Sequence, residues 1–202
     1  YPDVKMMKPG IVMASNTGYG RGEGPYSQYP AQATTQEATH GLAHVTGYRG
    51  DIPSKAGQSY VDFLASWACM MGVALGLRHR QRTGQGLWVD IGMYQLGCYT
   101  VGEYIVDWEA NQRLGGRIGN RHPWQAPQGC YPCAGNDQWC VISVRDDEDW
   151  AKLCGLMGRP ELAADARFAS ERMAQHDEID ALISAWTKTL TKFEVMERVQ
   201  GV

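Results

Sequence analysis

The sequence has no surplus of either charge, no basic run and no long uninterrupted apolar segment, and each absence removes a class of function. Nineteen Lys and Arg against 22 Asp and Glu leave a net charge of −3 over 202 residues, which gives no electrostatic reason to expect nucleic acid as a partner. No basic amphipathic stretch favours a membrane surface. The longest apolar run, about residues 69–77, falls short of the roughly 20 residues that cross a bilayer and stops at Arg78-His79-Arg80. No charged-then-apolar signal opens the chain, and no repeat or low-complexity tract interrupts it. These readings point to a cytoplasmic protein without nucleic acid or membrane partners. What is present is ordinary for a globular chain, 44% hydrophobic and 20% charged residues. The first residue is not Met and the last three, Gln200-Gly201-Val202, follow a helical pattern, so truncation at both ends is expected.

The cysteines do not make a convincing metal or redox set. A structural zinc site uses four ligands, usually in two close pairs. Cys130 and Cys133 form one such pair, with only the isolated Cys140 and His122 as candidate companions. A redox pair belongs at a helix start, whereas this one lies in an expected strand, so packing is the expected role and no metal is assigned. His40 and His44 are spaced to share one helix face, but no third ligand accompanies them. The turn Gly18-Tyr19-Gly20-Arg21-Gly22-Glu23-Gly24-Pro25 starts like a dinucleotide fingerprint. Its third position is Glu23 and Pro25 stands where a helix must be under way, so a phosphate cradle is excluded and a tight active-site turn remains.

Periodicity divides the chain into an α/β half and an α+β half. A short strand is expected over 11–15, a helix across 35–44, a long amphipathic helix over 59–82, a strand over 87–91 and a second long helix over 94–112. In the 59–82 helix Phe63, Trp67, Met70, Met71, Ala74 and Leu77 recur at helical spacing. Arg78, Arg80 and Arg82 suit the negative end of its dipole, and Gly84 stops it. Beyond an irregular crossing at 119–129, strands are expected at 129–133 and 139–144, then helices at 147–157, 175–187 and 192–200. Asp146 precedes Asp147-Glu148-Asp149, an N-cap followed by first-turn carboxylates.

Asp62 falls in the first turn of the 59–82 helix, where the dipole stabilises a carboxylate by about 0.3–1 kcal/mol. Ionised, it could attack an activated carbonyl. By spacing alone, an ordinary cap satisfying free N–H groups is the favoured reading.

Four segments in order match one family. Ala14-Ser15 through Gly18-Tyr19-Gly20 to Gly24-Pro25-Tyr26 resembles the S-G-F-G-x-x-G-P-Y segment of class III CoA-transferases. Asp62, then Thr83-Gly84-Gln85-Gly86, then Val89-Asp90-Ile91-Gly92-Met93 resembles the nucleophile helix and the strand after it. Gly119-Asn120-Arg121-His122-Pro123 through Ala126-Pro127 resembles the entry to the small domain. Arg159-Pro160-Glu161-Leu162 with Asp165, Arg167 and Phe168 resembles a further segment of that domain.

The resemblance implies CoA transfer from an acyl-CoA to a carboxylic acid, with Asp62 as the acyl-accepting nucleophile and a CoA thioester as substrate rather than a bound cofactor. It places Met93 near the CoA thiol, Gly18 and Tyr19 in the active-site turn, and Asn120 and His122 near the pocket. It further implies an α/β fold: part of a Rossmann-like large domain over 1–96, a connecting helix over 97–118 and part of a small α+β domain over 119–202. Two such subunits would interlock as a homodimer. Two positions depart from neighbouring subgroups. Thr17 stands where some formyl-CoA transferase-like members have lysine. Gln32 stands where the related α-methylacyl-CoA racemases have a catalytic histidine, which weakens an acyl-CoA racemase or epimerase as the alternative. A non-catalytic CoA-binding module is the remaining alternative.

Overall fold

A computed structural model describes all 202 residues, the side chain of Ser170 excepted. In chain order the elements are α1 (Pro2–Met7), β1 (Met13–Thr17), α2 (Ala33–Thr39), α3 (Leu42–Val45), α4 (Tyr60–Thr83), β2 (Trp88–Gly92), α5 (Met93–Thr100), α6 (Gly102–Asn111), β3 (Gln128–Pro132), β4 (Trp139–Ser143), α7 (Asp147–Leu156), α8 (Glu161–Ala164), α9 (Ala166–Ser170), α10 (His176–Thr187) and α11 (Lys192–Gln200). They form two compact units, Tyr1–Arg117 and Ile118–Val202.

In the first unit β1 and β2 pair in parallel, from Met13 against Trp88 to Thr17 against Gly92. Parallel neighbours need a crossover, and α4 supplies it by packing on both strands. The close approach depends on missing side chains. A Cβ at Gly72 would lie 2.5 Å from Val89 Cγ1, and one at Gly76 would lie 2.8 Å from Val12 Cγ1. Gly84, at φ 73, ends the helix by donating its N–H to the Arg80 carbonyl.

The apolar stripe of α4 corrects the sequence reading. Val61, Ala65 and Gly76 are buried, whereas Phe63 is 63% and Trp67 70% exposed, with Met70, Met71, Leu75 and Leu77 also exposed. The helix turns its small residues to the strands because only they permit that approach, and its large residues are left on the opposite face. Apolar side chains therefore lie on both faces of α4, and by length and composition it reaches what a bilayer-crossing helix needs. This corrects the shorter run read from sequence. Its packing on β1 and β2 is that of a helix layered on a sheet.

Two other expected helices are each broken in two. The 35–44 helix divides at Gly41, whose φ of 98 is left-handed, so α2 and α3 are separate and His40 and His44 share no continuous helix face. The 94–112 helix divides at Val101, which leaves helical geometry at ψ 18, into α5 and α6. The short α1, α8 and α9 were not expected.

In the second unit β3 and β4 form an antiparallel hairpin, Gln128 opposite Ser143 and Pro132 opposite Trp139, where two strands were expected. The helices α7, α10 and α11 follow the expected boundaries closely. Asp146 caps α7, its Oδ1 accepting the Asp149 N–H at 2.9 Å. Thr191 and Glu194 form a reciprocal capping box on α11. Tyr131, Ile142, Val144, Trp150, Leu153, Phe168, Ile179, Ile183 and Val195 make the core. Cys130 sits on β3 and Cys133 just after it. Burial pushes the neighbouring Cys140 thiol up to about 12, the condition of an inert packing cysteine.

A polar network ties the hairpin to α10. Tyr131 donates its hydroxyl to Asp180 Oδ1 at 2.8 Å, and Arg121 Nη2 reaches Asp180 Oδ2 at 2.6 Å and Asp177. Burial, then the Asp180 carboxylate, pushes the Tyr131 hydroxyl well above its ordinary range, so it stays a donor. Tyr131→Phe is expected to cost about 1–2 kcal/mol, read from the urea midpoint. A loss below about 0.3 kcal/mol would show that Asp180 is satisfied by Arg121 alone.

Candidate active site

β1 and β2 run parallel, and α4 returns against them. The carboxyl ends of both strands and the first turn of α4 therefore lie at one edge of the first unit, the edge where open α/β sheets bind ligands. Gly18 and Tyr19 follow β1, Met93 follows β2, and Asp62 sits in the first turn of α4. The turn after β1 is joined to the residues that follow Met93. Tyr94 N–H donates to the Gly18 carbonyl at 2.8 Å, and Gln95 Nε2 donates to the Tyr19 carbonyl at 3.1 Å. The Tyr19 ring packs on Tyr26 and Tyr94, with centroids 5.5 and 5.8 Å away. Arg21 N–H closes the turn on Asp90 Oδ2 at 2.8 Å. Gly18 admits no side chain, since a Cβ there would meet Ala31 Cβ at 2.1 Å.

Asp62 does not behave as a cap. Ser59, the N-cap, has φ 58 and makes no side-chain cap bond. Asp62 Oδ2 is buried without a partner, and no hydrogen bond to the carboxylate is seen among the described residues. Its backbone carbonyl accepts from Ser66 Oγ at 2.8 Å. A half-buried carboxylate that satisfies no N–H carries the cost of desolvation without the return a cap would give.

Asn120 and His122 belong to the second unit and flank Arg121, the residue pinned to α10. Asn120 is exposed, and the His122 ring meets Trp124 edge-on at 5.3 Å.

Sequence reading missed the polar face of α2. Gln36 and Glu37 are both fully buried and His40 nearly so. Among the described residues only Glu37 Oε2 is engaged, accepting the Ala56 N–H at 2.7 Å. His44, by contrast, donates Nε2–H to the Gly115 carbonyl at 2.9 Å. The signal that could have found α2 is the placing of Gln36 and Glu37 among small residues in a helix with almost no large apolar side chain to bury.

Burial is the main cause lowering the basicity of both His40 and His176. His176 Nε2 also accepts the Gln128 N–H at 3.4 Å, which requires that nitrogen unprotonated. The unfolded chain binds protons near the ordinary value of about 6.5, while the folded chain resists. Stability is therefore expected to fall as pH drops through about 6.5. Urea midpoints at pH 7.5 and 5.5, compared with His176→Gln, check this; an unchanged slope in the variant would remove His176 from the account.

The arrangement defines an α/β protein with a carboxylate nucleophile candidate and a glycine-rich turn at the same edge of the sheet. The CoA-transferase family III profile matches residues 1–202. The chain is 34% identical over 206 residues to succinyl-CoA–D-citramalate CoA-transferase of Chloroflexus aurantiacus, covering 100% of this chain and 51% of that protein. It is 33% identical to acetyl-CoA:oxalate CoA-transferase of Acetobacter aceti, covering 95% of this chain and 49% of that protein. A crystal structure of a CAIB/BAIF family protein from Brucella suis superposes with a TM-score of 0.90 at 26% identity, over 100% of this chain and 53% of that one. The chain belongs to CoA-transferase family III and spans about half the length of the curated relatives it matches.

Proposed function

We propose that the complete protein transfers CoA from an acyl-CoA to a carboxylic acid, with Asp62 as the covalent acceptor. The observation that carries this is the Asp62 carboxylate itself, in a helix first turn yet engaged with none of its N–H groups. A carboxylate oxygen attacks the thioester carbonyl; a C–O bond forms, the C–S bond breaks, and CoA leaves as thiolate. The thiolate attacks the aspartyl carbonyl of the mixed anhydride, expelling the donor acid and leaving an aspartyl–CoA thioester. The acceptor carboxylate attacks that thioester to give a second anhydride and thiolate. Thiolate attack on the acceptor's acyl carbon then yields the new acyl-CoA and restores Asp62. Water must be excluded because it hydrolyses either anhydride.

Gly18, Tyr19 and Met93 shape the pocket edge on this reading, with Met93 beside the CoA thiol; Asn120 and His122 are the substrate-binding candidates of the second unit. Residues 1–96 are the later part of a Rossmann-like domain, 97–118 the connection and 119–202 most of the small domain, in a cytoplasmic, interlocked homodimer. The uncovered face of α4 fits a fold completed by further chain. The activities of these relatives nominate succinyl-CoA and acetyl-CoA as donors and D-citramalate and oxalate as acceptors. The test is transfer among these pairs by the complete protein, with hydroxylamine trapping of the Asp62 acyl adduct. Solvent deuterium entering Cα without any acceptor acid would replace transfer by racemisation. Tight CoA binding with no exchange would leave a binding module.

A further inference from the structure

A polar residue in a protein interior costs free energy unless it is hydrogen-bonded, and a carboxylate costs more than an amide. Helix α2 buries two such residues in succession, Gln36 and Glu37, each 0% exposed. Their surroundings differ. The Gln36 amide lies under the glycine turn, its Nε2 3.2 Å from where a Gly18 Cβ would stand. The Glu37 carboxylate faces the loop that enters α4 and accepts the Ala56 N–H at 2.7 Å through Oε2.

That loop needs a tether. Residues 49–58 are all exposed, so no buried side chain holds them. Ser54 N–H bonds the Thr46 carbonyl at 3.1 Å, and from there to the helix the Ala56–Glu37 bond is the only described hydrogen bond to the rest of the unit. Three residues beyond Ala56, Ser59 adopts the left-handed φ of 58, a conformation uncommon for a residue with a side chain. Three residues beyond Ser59 stands Asp62. At 2.7 Å the Ala56 N–H to Glu37 Oε2 bond lies at the short end of the N–H···O range. It is the interaction suited to fixing an exposed loop at a single point.

We propose that Glu37 is a positioning residue for Asp62. Its buried carboxylate holds Ala56, fixes how the chain turns through Ser59 into α4, and so sets where the Asp62 carboxylate stands. This rests on the reading of Asp62 as nucleophile. Because α2 also underlies Gly18, one short helix references both the nucleophile turn and the glycine turn.

The experiment uses the complete protein and the exchange of labelled succinate into succinyl-CoA. Glu37→Met keeps the length and loses the acceptor, whereas Glu37→Gln keeps an acceptor oxygen. Glu37→Met is expected to lower kcat about 10- to 100-fold, the range for misplacing a reacting group by about 1 Å. KM for succinyl-CoA should stay within about twofold, since ground-state binding is untouched. Hydroxylamine trapping of the Asp62 adduct should slow by the same factor, and Glu37→Gln should restore most of kcat. Ala56→Pro deletes the donor instead and is expected to reproduce the Glu37→Met split; it is the deciding variant if Glu37→Met does not fold. Unchanged kcat, or kcat and KM worsening together without rescue by Glu37→Gln, overturns the proposal. Asp62→Asn measured alongside separates the two ideas. If it is inactive while Glu37→Met is normal, only the role of Glu37 fails. If it is active, the nucleophile assignment fails and the role of Glu37 falls with it.

Discussion

Replacing Asp62 by asparagine is expected to lower CoA transfer by the complete protein about 10⁴-fold or more, while stability changes by less than about 0.5 kcal/mol. The two numbers separate two roles for one side chain. As a cap, Asp62 would be replaced at little cost by asparagine, which caps equally well, and activity would survive. As a nucleophile, it would not survive the change, because an amide nitrogen or oxygen does not form the anhydride. No hydrogen bond to the carboxylate is seen among the described residues, so the fold has little to lose from the substitution. The measurement is exchange of labelled succinate into succinyl-CoA together with a urea melt. Retained exchange in Asp62→Asn would end the covalent mechanism.

The largest expected effect on stability lies in the other unit. Trp150 is 1% exposed in the core beneath the hairpin and meets the fully buried Phe168 edge-on with centroids 6.1 Å apart. Trp150→Ala removes that area and leaves a cavity, at a cost of about 3–5 kcal/mol. Native domains hold only about 5–15 kcal/mol in total. At a slope near 2 kcal/mol per molar urea, the midpoint should therefore fall by about 2 M. The Trp150 indole N–H is buried with no partner, so its deletion orphans no acceptor and the loss is one of packing. A shift equivalent to less than about 1 kcal/mol would mean that the core closes over the space.

Regular elements with strong patterns were legible in the sequence. The α4 boundaries followed from a helix-forming run closed by Gly84, those of α7 from Asp146 as a cap, and those of α11 from its helical pattern, while the Thr191 cap on α11 was not read. What was not legible depends on neighbours distant in sequence. The spacing of Phe63, Trp67 and Met70 announces a helix, but it cannot say which side meets the sheet. Gly72 and Gly76 decide that by contact with Val89 and Val12. Spacing likewise made Asp62 a cap, and only the folded chain shows its carboxylate without a hydrogen bond among the described residues. Glu37 carries no sequence signal of its role, because Ala56 lies nineteen residues away across a helix and a loop. The breaks at Gly41 and Val101 are single-residue backbone changes inside otherwise continuous patterns.

The glycine contact between α4 and the sheet also has a mechanical side. A helix rises about 1.5 Å per residue, so Asp62 stands about 20 Å along a stiff rod from Gly76. With the rod seated on Val12 and Leu87 at that far end, a tilt of about 5° there swings the carboxylate by nearly 2 Å, more than a reacting group tolerates. On the reading of Asp62 as nucleophile, its position is thus gauged partly at Gly76, about four helical turns away, and a single methyl group added there would act on turnover as a lever acts on its tip.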